Sequence, residues 1–359
     1  MVDFDITDEQ RAIRETVRSF VDAELMPQEA DFVRAGGTAT FGHAEIRALQ
    51  ARARRDGLWG VSTPEEYGGS ALDAVTQSLI ATELGRTFLP FRFGGEADNI
   101  LYYADDRQTK EYLLPTIEGE RTSCFAITEP GAGSDAAAIR TTARQDGSDW
   151  VIDGEKTFIT GGNDADFAIV ITVTDPEKRS RGGFTAFLVD RSMGWTSSPI
   201  STMGLARPAT LSFAGVRVPD SNMLGEPGDG FRLAMEWIGR GRFLIPSQAI
   251  GAGERLLSMA IGYATDRTTF GRPIADNQAI GWMIADSEVE LEAARWLVLK
   301  AAWTVDQGRD SRHDCAIAKL SGTTMANRVV DRVMQIHGGM GYTREMPIEQ
   351  FYRDMRLWR

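Results

Sequence analysis

The chain has 359 residues, and its 51 acidic and 39 basic residues give a formal net charge of -12 at pH 7. Because nucleic acids and anionic membranes would repel such a protein, neither is expected as its main partner. The sequence predicts no membrane span and no N-terminal signal, and its two cysteines, Cys124 and Cys315, do not suggest a disulfide framework. The composition therefore predicts a cytoplasmic enzyme with two or three domains.

Hydrophobic periodicity divides the chain into three parts, which we expect to be domains. Residues 1–120 follow a helical period that starts at the capping box Thr7-x-x-Gln10. Between 121 and 222 the period changes to two, with Gly and Asp turns between apolar segments, and this pattern predicts a compact antiparallel β domain. From 223 to 359 the helical period returns. This order predicts a multidomain α+β protein.

Individual elements are expected at definite places in the last two parts. The β segments are a strand, turn and strand at 150–160, and then strands at 167–173, 184–189 and 211–218. Long helices are expected at about 276–307 and 312–336. Apolar residues at spacings of three and four should face a bundle core. They are Ile280, Ile284, Ser287, Leu291, Ala294, Val298, Ala301 and Val305 in the first helix, and Ile317, Leu320, Met325, Val329 and Val333 in the second.

The segment 125–135, Phe-Ala-Ile-Thr-Glu-Pro-Gly-Ala-Gly-Ser-Asp, has the pattern of a strand that ends in a tight turn. Gly131 and Gly133 permit backbone conformations and close approaches that a side chain would block. Thr128 and Ser134 offer hydroxyls on either side of the turn. Backbone N–H groups and hydroxyls can hold a phosphate-bearing cofactor without a metal, and no residue cluster has the spacing of metal ligands.

A dinucleotide-binding motif is the first interpretation to test for this turn. Gly131-x-Gly133-x-x-Ala136 fits the loose form of that motif, and Asp153 falls near the expected ribose-binding acid. The motif requires a helix after the turn and then a parallel strand. Here the following segments alternate as strands with no helical period between them, so the context excludes a Rossmann fold.

Four blocks of sequence, at 128–135, 154–161, 267–273 and 335–342, form one further pattern. Together they resemble the acyl-CoA dehydrogenase family, in that family's order and spacing, over about Phe4 to Arg359. The resemblance implies an all-α N-terminal domain, a central antiparallel β-barrel-like domain and a C-terminal four-helix bundle, assembled as a homotetramer. It also implies FAD as cofactor, oxidation of an acyl-CoA to the trans-2-enoyl-CoA as in fatty acid β-oxidation, and electron-transfer flavoprotein as acceptor.

The resemblance assigns site residues one by one. Without it, the same residues would be read as an ordinary strand pair, a surface arginine beside a helix-start turn, and a helix C-cap. Ser134 and Arg242 match positions near bound substrate. The cofactor positions are Phe125, Ile127, Thr128, Gly133, Ser134, Phe158, Ile159, Thr160, Arg267, Thr269, Phe270, Gln278, Gln335, Gly338 and Gly339. The region from Arg267 to Gln278 would reach a neighbouring subunit's FAD, and the positions from Gln335 to Gly339 match the family's second cofactor contact.

The catalytic base implied by the resemblance is a glutamate, and no residue of the chain matches it. In most family members it follows an Arg-Asp pair, here Arg353-Asp354, and the sequence stops at Arg359 before that position. In a smaller group it lies beside the arginine that matches Arg242, where this chain has Gly241. The base is therefore expected just beyond Arg359.

Three alternatives to a base beyond Arg359 stay open. In the first, the protein uses its flavin as a monooxygenase or oxidase. In the second, it is a non-catalytic acyl-CoA- and FAD-binding subunit of a heteromer. In the third, Glu129 or Glu236 replaces the usual base, although Glu129 precedes Pro130 in the turn and is interpreted as structural. Gly239 stands where an aspartate usually contacts CoA, so acyl chain length is not predicted.

Overall fold

The computed structural model describes residues 5–34 and 41–359, except the side chains of His43 and Arg240. Phe4, where the family resemblance begins, lies outside this range. The predicted capping box is confirmed, since Gln10 N donates to Thr7 Oγ1 (3.1 Å) and Thr7 N donates to Gln10 Oε1 (3.0 Å). The helices of this N-terminal part are α1 (Asp8–Phe20), α2 (Glu29–Arg34), α3 (His43–Arg55), α4 (Ala74–Gly85), α5 (Asp106–Gln108) and α6 (Leu114–Ile117).

The central part is a mixed sheet, whereas the sequence pattern predicts a purely antiparallel domain and the resemblance implies a barrel-like one. Its strand order is β6-β7-β3-β2-β4-β5-β8, with β1 paired to β4, and within the described residues it stays open. The pairs β1–β4 and β2–β4 are parallel, which their long connections permit, since only strands joined by a tight hairpin must be antiparallel. The strands are β1 (Ser123–Ala126), β2 (Thr142–Asp146), β3 (Asp149–Ile159), β4 (Phe167–Val173), β5 (Phe184–Asp190), β6 (Thr196–Pro199), β7 (Ala209–Pro219) and β8 (Met223–Leu224).

The expected turn inside 150–160 is wrong, because β3 is one strand of 11 residues. The pairing of β3 with β7 slips between Ile152 and Gly154, which marks a β-bulge. Gly154 has φ +149, and a Cβ there would lie 2.6 Å from Thr141 Oγ1. A glycine in this strand therefore allows a close backbone approach, and it does not reverse the chain.

The C-terminal part is a bundle of long helices. The apolar stripe predicted for α8 is confirmed, since Ser287, Leu291, Ala294, Val298 and Ala301 are buried and the other members pack partly against the core. A short hairpin of β9 (Thr268–Thr269) and β10 (Arg272–Pro273) joins the first two helices. The helices are α7 (Gly230–Asp266), α8 (Gln278–Asp306), α9 (Arg312–His337) and α10 (Ile348–Trp358).

The predicted stripe of α9 is only half right. Met325, Val329 and Val333 are buried, but Ile317 and Leu320 are exposed. Small residues face the core in this half of the helix, because α9 runs too close to α7 for larger ones. A Cβ on Gly322 would lie 2.6 Å from Pro246 Cβ. Residues buried there are Cys315, Ala318 and Gly322.

Helix α4 joins the N-terminal helices to the C-terminal bundle. A Cβ on Gly251 of α7 would lie 1.7 Å from Thr82 O of α4, so the two helices cross at backbone contact distance. At the N-terminus of α4, Asp306 of α8 accepts hydrogen bonds from Ala74 N (2.6 Å) and Val75 N (3.0 Å). One hydrophobic core includes residues of both parts. A second core packs Leu233 and Ala234 of α7 against strand residues of the sheet, and it fixes the position of α7 there.

No helix in the described part of the chain is long and apolar enough to cross a membrane.

Candidate cofactor and active site

The glycine-containing turn follows β1 and leaves room for a ligand. Glu129 and Ala132 exchange backbone hydrogen bonds of 3.1 and 3.0 Å, which close a tight turn around Pro130. A Cβ built on Gly131 or Gly133 would meet no atom within 4 Å. These glycines therefore do not serve internal packing, and open space lies beside their backbone.

A buried ion pair supports this turn from below. Lys156 of β3 is 0% exposed, and its Nζ donates to Glu129 Oε1 (2.8 Å) and to Ile127 O (3.0 Å). Glu129 also accepts from Arg140 N (2.7 Å) and Thr141 N (2.9 Å). The pair therefore connects β1, the turn, the start of β2 and β3, and it agrees with a structural role for Glu129.

The pair also sets the charges of its two members. Burial alone would raise the pKa of Glu129, but attraction to Lys156 and the bonds from Thr141 outweigh it, and the pKa is lowered. Burial lowers the pKa of Lys156 to about 8 against the opposing attraction of Glu129. At neutral pH, Glu129 is thus an anion whose hydrogen-bond donors are held in place by the fold. The sequence pattern did not indicate Lys156 as its partner.

The end of β3 supplies an exposed aromatic ring beside the turn. Thr157 N donates to Thr128 O (2.8 Å), which brings residues 158–160 next to Thr128. Phe158 has φ +58, in the left-handed region, and its ring is 63% exposed. Such a backbone conformation costs energy for a residue other than glycine and is typical of functional sites. The pairing of β3 with β7 slips at this point, between Lys156 and Ile159.

The donor set around this ring suits a flavin. The hydroxyls of Thr128, Ser134 and Thr160 form no hydrogen bond to the described part of the protein, and those of Ser134 and Thr160 belong to exposed residues. A flavin ring presents an apolar face together with a polar edge, so one aromatic surface and a few free hydroxyls match it. Within the described ranges no group of three or more His, Cys, Asp and Glu residues is arranged to hold a metal ion.

A second group of predicted cofactor residues lies at the end of the helical bundle. Arg267 follows α7, and its N–H donates to Tyr263 O (2.9 Å). Phe270, at the tip of the β9–β10 hairpin, has φ +52 and a fully exposed ring. Further exposed members of this group are Gln278, Gln335, Gly338 and Gly339, whereas Thr269 is half-buried.

These two groups remain separate within one chain. Across residues 5–34 and 41–359, no hydrogen bond or ring contact joins the turn at 128–134 to the end of the bundle. The structure therefore brings Phe125–Ser134 together with Phe158–Thr160. Separately, the ring stack of Tyr263 on His337 joins the end of α7, next to Arg267, to the end of α9, next to Gly338. The exposure of the second group leaves its residues free to contact another molecule.

The start of α7 is attached to β1 by residues that sequence reasoning missed. The ring of Trp237 stacks on that of Phe125, with centroids 4.2 Å apart and an interplanar angle of 17°. Asp98 accepts from Trp237 Nε1 and from Ser123 Oγ, both at 2.6 Å. In the sequence, the sign of this contact is the aromatic residue Trp237, two positions before Gly239. This network fixes α7 against the strand that leads into the turn.

The candidate residues near the expected substrate lie along α7. Gly241 lies inside α7, and Arg242 beside it is exposed. Glu236 accepts a hydrogen bond from Tyr103 Oη (2.9 Å) and lies 3.5 Å from Arg232 Nη1.

The Arg-Asp pair of α10 holds a loop that follows β6. Arg353 donates to Met203 O (2.6 Å), and Asp354 accepts from Leu205 N (2.7 Å). A Cβ on Gly204 would lie 2.2 Å from Asp354 Oδ1, so this loop fits tightly against the helix. Burial raises the pKa of Asp354 above its usual value. The pair therefore stabilises the packing of α10 on the central part.

Three family profiles match consecutive parts of the chain. They are the acyl-CoA dehydrogenase N-terminal domain at residues 7–120, the middle domain at 124–216 and the C-terminal domain at 228–359. Among curated relatives, a mitochondrial short-chain specific acyl-CoA dehydrogenase of Mus musculus is 34% identical, over 98% of this chain and 86% of its own. A 3-(aryl)acrylate reductase of Clostridium sporogenes is 36% identical, over 98% of this chain and 94% of its own.

Solved structures with the same fold extend over nearly the whole chain. Butyryl-CoA dehydrogenase from Megasphaera elsdenii has a TM-score of 0.88 at 32% identity, over 99% of this chain and 95% of its own. A chain from a study of the electron transferring flavoprotein of Acidaminococcus fermentans gives 0.87 at 32% identity, over 99% and 94%. Glutaryl-CoA dehydrogenase from Mycobacterium smegmatis in complex with FADH2 gives 0.87 at 28% identity, over 98% and 90%. With these matches along its length, the chain belongs to the acyl-CoA dehydrogenase family of FAD-dependent oxidoreductases that act on acyl-CoA.

Proposed function

We propose that this protein oxidises a fatty or branched acyl-CoA to the trans-2-enoyl-CoA, with FAD held between the turn at 128–134 and the end of β3. The observation that supports this site best is the exposed Phe158 ring, kept in a left-handed backbone conformation beside hydroxyls that have no partner among the described residues. FAD supplies the acceptor for the hydride that leaves the β-carbon, because no amino-acid side chain can accept one.

Each residue of the turn and of β3 has a distinct role in this proposal. Phe158 provides the surface on which the flavin ring lies, and Thr160 donates to the N5 region of the ring. Thr128 bonds to the polar edge, and Ser134 contacts both cofactor and substrate. These hydrogen bonds favour the negative charge that the reduced ring carries, so they act on the reaction as well as on binding. Phe125, Ile127, Ile159 and Gly133 line the same site.

Arg242 is proposed to lie near the bound acyl-CoA. The α-proton is proposed to pass to the glutamate that the family resemblance implies as the base, and neither Glu129 nor Glu236 takes its place. Glu129 is occupied by Lys156 and by two backbone donors, so its oxygens face the protein interior. Glu236 is bonded to Tyr103 and close to Arg232, so its carboxylate already has two partners. Glu236→Gln is accordingly expected to keep its activity.

The homotetramer that the family resemblance implies is also proposed here, and an apolar face of α8 that is exposed at regular intervals supports contact between copies. Trp282, Val289, Trp296 and Trp303 recur every seven residues, so they form one stripe along the helix, and all four are exposed in the single chain. A stripe of this length and composition is typical of a helix that packs on another. The exposed group from Arg267 to Gln278, with Gln335, Gly338 and Gly339, is proposed to complete the FAD site of a neighbouring copy.

The proposal also covers the electron acceptor, the cellular location and the domain boundaries. Electron-transfer flavoprotein is proposed as the electron acceptor, supported by the family and by the similar chain from Acidaminococcus fermentans. Cys124 and Cys315 are both free and buried, which agrees with a cytoplasmic location. The domains are proposed at 1–120, 121–222 and 223–359.

The purified protein is expected to be yellow and to contain one FAD per subunit. Ser134→Ala should weaken FAD binding by about 1.5–3 kcal/mol, because one charge-assisted hydrogen bond is lost. Equilibrium titration with FAD, followed by flavin fluorescence, measures this difference. Ser148→Ala, in the β2–β3 turn, is the matched control and should bind FAD normally. A protein that gains no flavin absorbance when FAD is added would contradict the proposal.

A further inference from the structure

His337, the last residue of α9, has an environment to which the proposed FAD site gives no role. Its side chain is 2% exposed, and its Nδ1 lies 2.8 Å from Val333 O. Burial lowers the pKa of His337, so the ring is neutral at physiological pH. Nδ1 then carries the proton and donates to Val333 O. Nε2 is buried and has no partner among the described residues.

The His337 ring stacks on Tyr263 of α7, with centroids 4.4 Å apart and an interplanar angle of 27°. Tyr263 lies one helical turn before Arg267, and its carbonyl accepts the backbone N–H of Arg267 (2.9 Å). On the other side of the stack, Gly338 follows His337 directly. The two rings therefore connect the end of α7, which carries Arg267, to the end of α9, which carries the Gly338–Gly339 backbone.

The segment after His337 is packed tightly on the same turn of α9. A Cβ on Gly341 would lie 2.7 Å from Met334 O and 3.1 Å from His337 Cβ. Gly338 itself has φ +56 and ψ -135, and a Cβ there would meet nothing within 4 Å. One side of the loop is thus fixed against His337, while the Gly338–Gly339 backbone faces open space.

We propose that His337 is a positioning residue for FAD: by stacking on Tyr263, it sets the spacing between Arg267 and the Gly338–Gly339 backbone, which bind the nucleotide half of FAD together. This inference rests on the proposed function, which assigns both groups to the cofactor. It goes further because it gives a role to His337 and Tyr263, which contact each other within one chain and are not assigned to the cofactor. Nε2 has no partner in the described part of the protein, so the ring acts through its stack on Tyr263 and through the bond from Nδ1 to Val333 O, and the proposal assigns the positioning to the stack.

The test compares His337→Leu with His337→Phe. Leucine removes the ring, whereas phenylalanine keeps a flat ring for Tyr263 and loses only the bond to Val333. We expect His337→Leu to weaken FAD binding about ten-fold, in line with the loss of one aromatic pair, and His337→Phe to bind FAD within about two- to three-fold of the unchanged protein. The dissociation constant for FAD and the melting temperature of the FAD-free protein are measured for each variant.

The outcomes separate this inference from the proposed function. If the unchanged protein does not bind FAD, the proposed function fails. If it binds FAD and both variants bind equally well, or both lose affinity equally, the positioning role is overturned. A melting temperature that falls in parallel with affinity in both variants would show a purely structural residue. Rescue of affinity by phenylalanine, with leucine weak and the FAD-free protein still folded, supports the role.

Discussion

Replacing Lys156 with methionine is expected to lower the free energy of unfolding by about 3–5 kcal/mol, because the change leaves a buried carboxylate without its counter-charge. Glu129 is almost fully buried, and Lys156 is its one cationic partner among the described ion pairs. The same change removes the bond from Lys156 Nζ to Ile127 O, so the turn that would hold FAD loses a support. Chemical denaturation of the FAD-free protein measures the first effect, and FAD titration measures the second.

The double variant Lys156→Met with Glu129→Gln separates the cost of an unpaired buried carboxylate from the loss of the Lys156 side chain itself. Removing both charges should restore much of the lost stability, because no unpaired ion then remains at this place in the interior. Lys178→Met is the matched control, since Lys178 pairs with Asp175 at 3.1 Å on the surface and should change stability little. If Lys156→Met were as mild as Lys178→Met, the buried pair would not be a main support of the turn.

Arg267→Glu is expected to release FAD and to loosen the assembly together. Arg267 is exposed in the single chain, and the proposal places it against the pyrophosphate of a neighbour's FAD. A guanidinium makes two charge-assisted bonds to such a group, and a carboxylate would repel it. The loss of these bonds alone predicts a fall in FAD affinity of about a hundred-fold or more. Flavin content and light scattering on the same sample measure both consequences.

Val289→Asp tests the same coupling between FAD binding and subunit association, but it disturbs the association first. Val289 lies in the exposed stripe of α8, about three helical turns from Gln278, so the substitution changes the helix face and not a residue assigned to FAD. If FAD sites are shared between subunits, this variant should also lose FAD as it dissociates. An Arg267→Glu protein that keeps its FAD as a clean monomer would contradict the shared site.

Much of the fold followed from local patterns in the sequence. The periods of α8 and of β4 depend on residues close to one another along the chain, and both elements were predicted nearly at their observed bounds. The parallel pairing of β1 with β4 joins segments more than 40 residues apart, so no local pattern indicates it. The apolar spacing of α9 predicts Ile317 and Leu320 in the core, because apolar residues usually face it. Where α9 approaches α7 closely, small residues such as Gly322 face the core, and these two larger apolar residues are exposed.

The candidate site shows the same division. The glycine turn and its hydroxyls were visible as a motif, whereas the ion pair of Lys156 with Glu129 depends on two segments that meet only in the folded sheet. The left-handed backbone of Phe158 and Phe270 is also invisible in the sequence, since neither residue favours that conformation. Strain of this kind is maintained by the surrounding structure, and only the structure reveals it.

An anaerobic titration of the FAD-bound protein with a series of acyl-CoA thioesters tests the proposed dehydrogenation most directly. We expect that at least one straight-chain or branched acyl-CoA bleaches the oxidised flavin and yields the trans-2-enoyl-CoA, and that Glu236→Gln behaves in the same way. Slow recovery of the flavin in air, with fast recovery in the presence of electron-transfer flavoprotein, is expected of a dehydrogenase. A flavin that stays oxidised with every acyl-CoA, although dithionite reduces it, would contradict the proposed dehydrogenation.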